Sequence, residues 1–355
     1  MRSRSRALRV LRWGGVALAV LAGALWGWVA VQDMRLERAF EEMLSAAPAR
    51  PDAVSSGANG DGARPTTLRL SLVTYNVWAL PVALPGMDRL GRLPRIPPAL
   101  AAFGTDLILL QEAFDIRMKA FVAESLEGYR AGPDFLCREP MVPVGEKDCT
   151  GGLVTLSRWP VTEERFYAHP VGEGAKFDEA NGRKGFMLTT VETELGPMDV
   201  VNIHLYAGRT AADEAQRLLQ LAQLRDVVGR AREAERPVLL VGDLNVVHPS
   251  LSARDTSLAA SDAYRFVVDS LGFVATHPEA DEGDLTYDIV TNRYANLWYN
   301  RFEGRQVFDY VMLRVPEGMA FEVVERRRVL DGADPLSDHY GAYAVLELRS
   351  VGARN

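Results

Sequence analysis

The sequence predicts an α/β domain of two packed sheets flanked by helices, preceded by a membrane-anchoring helix. Three observations predict it. Short apolar runs rich in branched residues alternate with turn signals from Leu68 onward. A few longer stretches carry helical spacing instead. Between Trp13 and Val31 there is no charged residue at all.

That uncharged run, WGGVALAVLAGALWGWVAV, comes close to spanning the hydrocarbon core of a bilayer at helical rise. Arg2, Arg4, Arg6, Arg9 and Arg12 precede it, and the next charge is Asp33. Leading arginines hold that end in the cytoplasm, so the rest of the chain is expected on the other side, periplasmic or extracellular. A cleaved signal peptide and an uncleaved signal anchor both fit this pattern. The run is long for a cleavable segment, and Trp28 and Gln32 sit awkwardly around Ala30, which favours an anchor over residues 1–31. If the segment is cleaved, the protein is secreted. A buried helix of a soluble core fits badly with five leading arginines.

Residues 33–47 are expected to form a short helix, because Leu36, Phe40, Met43 and Leu44 recur at helical spacing. The following stretch is rich in Pro, Gly, Ser and Asn, and 48–67 reads as a tether. The organisation expected is therefore an anchor (1–31), a short helix and flexible linker (32–67) and a catalytic domain (68–350).

The net charge is −7, yet the first twelve residues contain five arginines and no acid, so the remainder is more acidic still. Such a surface is a poor non-specific nucleic-acid binder, although a bound divalent metal can reverse the local field. Cys137 and Cys149 are the only cysteines. A disulfide is allowed outside the cytoplasm and two buried thiols are the alternative; the segment REPMVPVGEKD between them reads as a loop.

Strands are expected at 68–77, 106–113, 151–157, 185–193, 198–205, 236–244, 306–315 and 341–348. A turn leads into a helix over 94–104 that stops at Gly104. The clearest helix is 210–233, with Leu218, Leu221, Leu224, Val227 and Val228 on one face.

Several apolar strands end in an acid, an amide or a histidine: Asn76, Glu112, His204, Asp243, Asn245, Asp309 and the pair Asp338-His339. Polar residues at the mouth of a sheet sandwich can converge on one pocket, where charges are costly unless they pair or bind a metal. Singly, each has a structural alternative. Asn76 serves as a turn amide, Asp243 with Asn245 as a tight Gly-Asp-x-Asn turn, Glu112 and Asp338 as caps, and His204 as a satisfied core histidine. Their joint occurrence is harder to read as purely structural.

TYNVW (74–78), LLQEAF (109–114), NIHLYA (202–207), VGDLNV (241–246), FDYVML (308–313) and SDHYGA (337–342) together resemble the metal-dependent endonuclease/exonuclease/phosphatase superfamily, from about Leu68 to Leu348. The resemblance implies a four-layer αββα sandwich with its site at the top of the two sheets. Within that superfamily GGLVTLSRWPV (151–161), RKGF (183–186), HLYA with the helix that follows, and LTYDIVTNRYA (285–295) are similar to stretches of the neutral sphingomyelinases.

This resemblance implies a chemistry. Glu112 is the expected Mg²⁺ ligand, with Asn76 beside it; Mn²⁺ or another divalent cation is the alternative. Asp243 and the two histidines are candidate bases, and the resemblance favours the cluster of Asp243 and His339. Asn245 orients water or a phosphate oxygen. Asp309 bonds His339 and fixes its tautomer. Asp338 supports the site or binds a second metal, and His204 donates to a phosphate oxygen. Lys184 contacts phosphate or is simply a surface lysine on a strand edge.

Abasic-site endonucleases carry an acid where this chain has Trp78, and inositol-polyphosphate phosphatases an arginine that Val307-Phe308-Asp309-Tyr310-Val311 lacks. NLWYNRF (296–302) resembles the exposed loop by which secreted sphingomyelinases touch membranes, a core hairpin strand being the alternative. The expectation is a phosphodiesterase of the sphingomyelinase type, acting on a phospholipid at a membrane surface and releasing a phosphorylated headgroup. No obligate protein partner is evident. Nucleic acid is the less favoured partner, and an extracytoplasmic nuclease of the same fold is the alternative. A binding module that lost the chemistry is disfavoured by the intact residue set.

Overall fold

A computed structural model describes residues 27–45, 66–135, 137–141, 145–233, 235–254 and 261–351. Residues 1–26 of the expected anchor and 46–65 of the expected tether lie outside the described residues. Along the chain the strands are β1 (Thr67–Ala79), β2 (Leu107–Ala113), β3 (Arg138–Met141), β4 (Gly145–Asp148), β5 (Val154–Ser157), β6 (Val161–Ala168), β7 (Gly185–Thr193) and β8 (Gly196–His204). They continue as β9 (Val238–Asp243), β10 (Val274–Ala275), β11 (Tyr287–Asp288), β12 (Arg305–Gln306), β13 (Asp309–Arg314), β14 (Met319–Val329) and β15 (Gly341–Ser350). One sheet has the order β14-β15-β1-β2-β5 and the other β10-β13-β9-β8-β7-β6.

The two sheets pack face to face, and period-2 alternation decides what lies between them. Leu68, Leu70 and Leu72 of β1, Leu107 and Leu109 of β2, Val200 of β8, Leu239 and Val241 of β9, and Val311 and Leu313 of β13 form one buried cluster. The intervening residues face outward. Val73, Tyr75, Ile108 and Leu110 meet the helices Ile96–Ala101 and Ile116–Ser125. Val201, Ile203, Leu240, Tyr310 and Met312 meet the helix Ala211–Glu233. The result is the four-layer α/β sandwich expected. Truncating one of the inter-sheet leucines to alanine costs about 2–5 kcal/mol at such sites.

The helix Ala211–Glu233 buries Leu221, Leu224, Val227 and Val228 as its spacing predicts, with Leu218 only partly buried against them. Asp115, not Glu112, caps Ile116–Ser125, accepting from the Arg117 N–H at 3.0 Å.

Residues 27–45 form one continuous helix. It crosses the expected anchor–linker boundary without a break. Leu36 and Phe40 are buried, and Phe40 stacks on Phe121 with centroids 4.4 Å apart. Asp33 pairs with Arg89 at 2.7 Å and Arg117 at 3.0 Å. Met43 faces solvent, contrary to the spacing argument. Among the described residues no helix is long and apolar enough to cross a membrane.

One other expectation is corrected: the segment between the cysteines carries the antiparallel pair β3–β4 where a loop is expected, and a Cys137–Cys149 disulfide joins its ends with Cα atoms 5.5 Å apart. β6 and β14, which carry no apolar run, are strands at sheet edges, and the charged Glu325-Arg326-Arg327-Arg328 lies within β14. A charged edge strand resists pairing with another chain. Residues 296–302 are a series of turns, as the exposed-loop reading has it and not the hairpin-strand alternative.

Candidate active site

The inward-facing rows change chemistry as the strands rise. On β1 the row runs Leu68, Leu70, Leu72, Thr74, Asn76; on β2 it runs Leu107, Leu109, Gln111. On β8 it ends Asn202, His204, on β9 Val241, Asp243, and on β13 the row begins at Asp309. The leucine layer is therefore followed by an amide layer and then by the charged groups. In the amide layer Gln111 Nε2 donates to Asn202 Oδ1 at 2.8 Å, and Asn202 Nδ2 donates to Leu110 O at 3.1 Å and Val154 O at 2.8 Å. These bonds lock the sheets together where burial of unpaired amides would be costly. Gly242 makes room on both sides: a Cβ there would sit 3.1 Å from Gln111 Nε2 on the facing sheet and 2.2 Å from Ile203 O on the neighbouring strand, at a φ of +134°.

Pairing sets the lateral register. His204 lies beside Asp243 on parallel β8 and β9, and Asp243 beside Asp309 on antiparallel β9 and β13. Because β13 runs opposite to β9, its first residue meets the last residue of β9. Three non-glycine residues at this mouth have positive φ: Trp78 at 47°, Glu112 at 56° and Asn245 at 52°. Such backbone strain gathers where surrounding structure over-determines a side chain's aim. Glu112 consequently leaves the alternation of β2 and turns into the mouth.

Asn76 Nδ2 donates to Glu112 Oε1 at 3.0 Å and to Asp243 Oδ2 at 3.1 Å. Its Oδ1 accepts from the Trp78 N–H at 3.1 Å. So oriented, Asn76 bridges the two acids through its amide nitrogen and turns its oxygen to the Trp78 N–H. His204 Nε2 lies 3.5 Å from Asp243 Oδ2 and 3.8 Å from Glu112 Oε1. His339 Nδ1 lies 2.8 Å from Asp309 Oδ2, and its Nε2 lies 3.7 Å from Asp243 Oδ2. The Asn245 N–H donates to Asp243 Oδ1 at 3.0 Å, and its Nδ2 to Leu205 O at 3.1 Å. Asp338 accepts from Ser337 Oγ at 3.2 Å and from Asn300 Nδ2 at 3.0 Å. Every sequence-predicted site residue reaches this mouth or borders it. Lys184 is not a surface lysine: it is largely buried, donates to Glu179 Oε1 at 2.8 Å, and sits close enough to Glu112 and Asp243 to be held charged by them.

Burial without enough positive charge marks the electrostatics. It pushes the Asp243 carboxyl up to about 7, against the pull of His339, and Asp338 up to about 6. Glu112 is raised for the same reason, with Lys184 and Asn76 opposing. Burial alone would lower His339, yet Asp309, Asp243 and Asp338 hold it up to about 10. His204 is driven well below its ordinary value by burial and by the nearby positive charges of Lys184 and His339. It is neutral at pH 7.

The donor set fits a hard divalent cation. Asp243, Asp309 and His339 offer ligand atoms within 4.8 Å of one another. Asp309 Oδ1 is buried with no hydrogen-bond partner. Glu112 supplies a further carboxylate sharing a donor with Asp243. Carboxylate oxygens with surplus negative charge suit a hard divalent cation, and the imidazole also admits a transition metal.

Sequence reasoning missed several supporting groups. Thr286 Oγ1 accepts from the Phe308 N–H at 3.0 Å and the Asp309 N–H at 3.1 Å, which sets the start of β13. Glu179, Asn300, Gln111 and Asn202 were also missed. Each is polar and carries no pattern of its own; only its partner gives it meaning. Arg92, fully buried, donates to the carbonyls of Met87, Val77, Leu336 and Trp78, under the Trp78 and Tyr294 rings. Trp78, Met87 and Tyr294 pack with Leu297 and Tyr299, fixing residues 294–299 beside the mouth. From this base Trp298 and Phe302 project into solvent at 68% and 75% exposure.

A profile of the Endonuclease/Exonuclease/phosphatase family matches residues 73–339. Sphingomyelinase C of Leptospira interrogans is 23% identical over 307 residues, covering 79% of this chain and 52% of that protein. A second Leptospira sphingomyelinase C is 24% identical and is covered over 46% of its length. The chain thus spans about half the length of the curated relatives it matches. Among solved structures, sphingomyelinase C from Streptomyces griseocarneus superposes with a TM-score of 0.56 at 22% identity, over 78% of this chain and 99% of that one. TDP2 from D. rerio, in complex with a single-strand DNA product, superposes with a TM-score of 0.54 at 18% identity, over 78% and 98%. These likenesses are of fold.

Proposed function

The chain belongs to the Endonuclease/Exonuclease/phosphatase family, and from that membership we propose that it is a metal-dependent phosphodiesterase of the sphingomyelinase type, releasing a phosphorylated headgroup from a phospholipid. The observation that carries this reading is the convergence of Asn76, Glu112, His204, Asp243, Asn245, Asp309 and His339 on one mouth. Glu112, together with Asp243, Asp309 and His339, would hold a divalent cation, which would supply charge neutralisation at the phosphoryl and leaving oxygens.

The chain's own residues do the rest. Neutral His204 donates from Nε2 to a phosphoryl oxygen, since that atom faces the space between Glu112 and Asp243. The attacking water gives its proton to Asp243, whose carboxyl burial raises to about 7 and whose Oδ2 lies 3.7 Å from His339 Nε2. Asp309 keeps His339 an imidazolium and fixes its orientation through Nδ1, so that its charge faces the phosphoryl group. Asn245, tied to Asp243 and to the Leu205 carbonyl, steers water or a phosphoryl oxygen. Lys184 lends positive charge and leaves Glu179 to reach phosphate. Asn76 keeps Glu112 and Asp243 at a fixed spacing.

The lipid assignment is supported by the Leptospira relatives and by the exposed Trp298 and Phe302, amphipathic neighbours suited to a headgroup layer. Residues 1–31 act in this reading as the anchor that keeps the domain, on the extracytoplasmic side, near its substrate. The shared fold with DNA-bound TDP2 makes a nuclease the second reading. Full-length protein in detergent, given Mg²⁺ with sphingomyelin or phosphatidylcholine vesicles, is expected to release phosphocholine from sphingomyelin. Plasmid nicking that falls steeply with salt, without any phosphocholine, would establish the nuclease instead.

A further inference from the structure

Five residues beyond His204 the chain places Arg209. Gly208 turns it there at a φ of +126°, and a Cβ at that position would sit 2.4 Å from Asp213 Oδ2 and Lys176 Nζ, so the turn admits only glycine. The Arg209 guanidinium carbon lies 4.2 Å from the ring centroid of Phe308, the residue that precedes Asp309. That ring lies 5.9 Å from the His339 ring. Arg209 Nε is 2.8 Å from Glu303 Oε2, in the turn that also carries exposed Phe302. Both terminal guanidinium nitrogens are buried and have no hydrogen-bond partner.

An arginine presents a planar fork of donors that matches two oxygens of one phosphate. A fork removed from water and left unpaired is costly, and it is relieved by an anion that accepts from both terminal nitrogens. Burial pulls the guanidinium pKa down while Glu303 and Asp243 oppose, the state of a cation awaiting more negative charge. A phosphoester seated between Glu112 and His339 is the anion nearest to hand.

We propose that Arg209 is a substrate-binding residue, its terminal nitrogens taking phosphoryl oxygens on the Phe308 side of the Asp309–His339 pair, with Glu303 holding the guanidinium from its Nε side. The proposal rests on the phosphoesterase reading above and goes beyond it by naming the group that grips the phosphate. Glu303 is then a competing negative charge on the same guanidinium as the phosphate, which separates this role from a structural ion pair. A structural pair is harmed equally from either side, whereas a competitor, once neutralised, strengthens binding.

The test uses the full chain in detergent as wild type, Arg209→Gln, Arg209→Lys and Glu303→Gln. The readouts are KM and kcat on sphingomyelin in mixed micelles and on bis(p-nitrophenyl) phosphate, and the affinity for inorganic phosphate by calorimetry. Arg209→Gln is expected to raise KM and weaken phosphate by about tenfold or more, the worth of a charge-assisted bond. Arg209→Lys recovers part of the loss, and Glu303→Gln lowers KM and tightens phosphate. Values for Arg209→Gln within about twofold of wild type overturn the proposal. So does equal weakening by Arg209→Gln and Glu303→Gln, or a change on micellar lipid alone. If the wild type cuts no phosphoester the function reading fails, yet phosphate binding still decides Arg209: lost in Arg209→Gln it stands, unchanged it falls. A destabilised Arg209→Gln leaves Glu303→Gln, read in the opposite direction, as the deciding variant.

Discussion

His339 Nδ1 lies 2.8 Å from Asp309 Oδ2, and the two residues reach each other from strands on different sheets: Asp309 opens β13 and His339 stands just before β15. The contact ties the sheets at the mouth and sets the charge of the imidazole. Asp309 is the largest influence raising His339, which is held up to about 10 against the opposing effect of burial.

Asp309→Asn keeps the shape and removes that charge. The His339 pKa falls from about 10, and the imidazolium, needed in its charged form, loses its counter-ion. We expect kcat to drop on the order of 10³-fold, with the alkaline limb of the pH–rate profile moved to lower pH. A profile unchanged in position would contradict the assignment.

Metal binding has a thermal signature. Raised carboxyls at Glu112, Asp243 and Asp338 report unrelieved negative charge that a cation neutralises. Mg²⁺ at about 100 times its Kd is expected to stabilise the wild type by about 2.7 kcal/mol. Glu112→Gln is expected to lose most of that shift and all activity. Differential scanning fluorimetry with and without chelator reads both.

Acid stability depends on histidines outside the chemistry. Burial lowers His277 to about 3, helped by His248 and Arg326, and lowers His169 to about 4. A folded pKa below the unfolded value of 6.5 means that the unfolded chain binds protons first. The stability these neutral histidines contribute is complete above pH 6.5 and is lost as pH falls towards 4 and then 3. Each steepens the loss by up to about 1.4 kcal/mol per pH unit. His277→Gln is expected to flatten the acid limb of a urea-midpoint series between pH 6.5 and 4; a parallel curve would refute this.

Lys119 is wholly buried, donating to Asp148 Oδ1 and Thr150 Oγ1 at 2.5 Å each. Asp148 Oδ2 accepts from the Gly152 N–H at 2.6 Å, and a Cβ on Gly152 would sit 3.1 Å from the Glu112 Cα. Lys119→Met strands a buried carboxylate, so a loss of about 3–5 kcal/mol in denaturant unfolding is expected. Because the same loop backs Glu112, Mg²⁺ affinity is expected to weaken as well.

Trp298 and Phe302 are 68% and 75% exposed, Trp298 set edge-on to the Tyr299 ring and Phe302 beside the Arg301 guanidinium. Replacing both with alanine is expected to slow sphingomyelin cleavage on vesicles severalfold and to leave a water-soluble phosphodiester untouched. Equal loss on both substrates would move these residues from docking to catalysis.

The central strands were legible because burial on both faces demands apolar residues: Leu107–Ala113 and Val238–Asp243 could hardly be anything else. The edge strands β6 and β14 were hidden, since only one side of an edge is paired and its outer residues answer to water. The helix over 27–45 was found by its Leu36 and Phe40 spacing but placed too late, because its first turns are apolar in the same way as the run before them.

Strand alternation placed Asn76, His204, Asp243 and Asp309 on inward faces, for side-chain direction is a local property of the backbone. Which of them touch was settled by strand order and register, and these depend on contacts between residues far apart in the chain. That Asn76 donates to both acids, that Glu179 holds Lys184, and that Arg209 keeps an unpaired fork over Phe308 are facts of packing between segments. No window of sequence contains them, because the free energy that selects them comes from groups brought together only by folding.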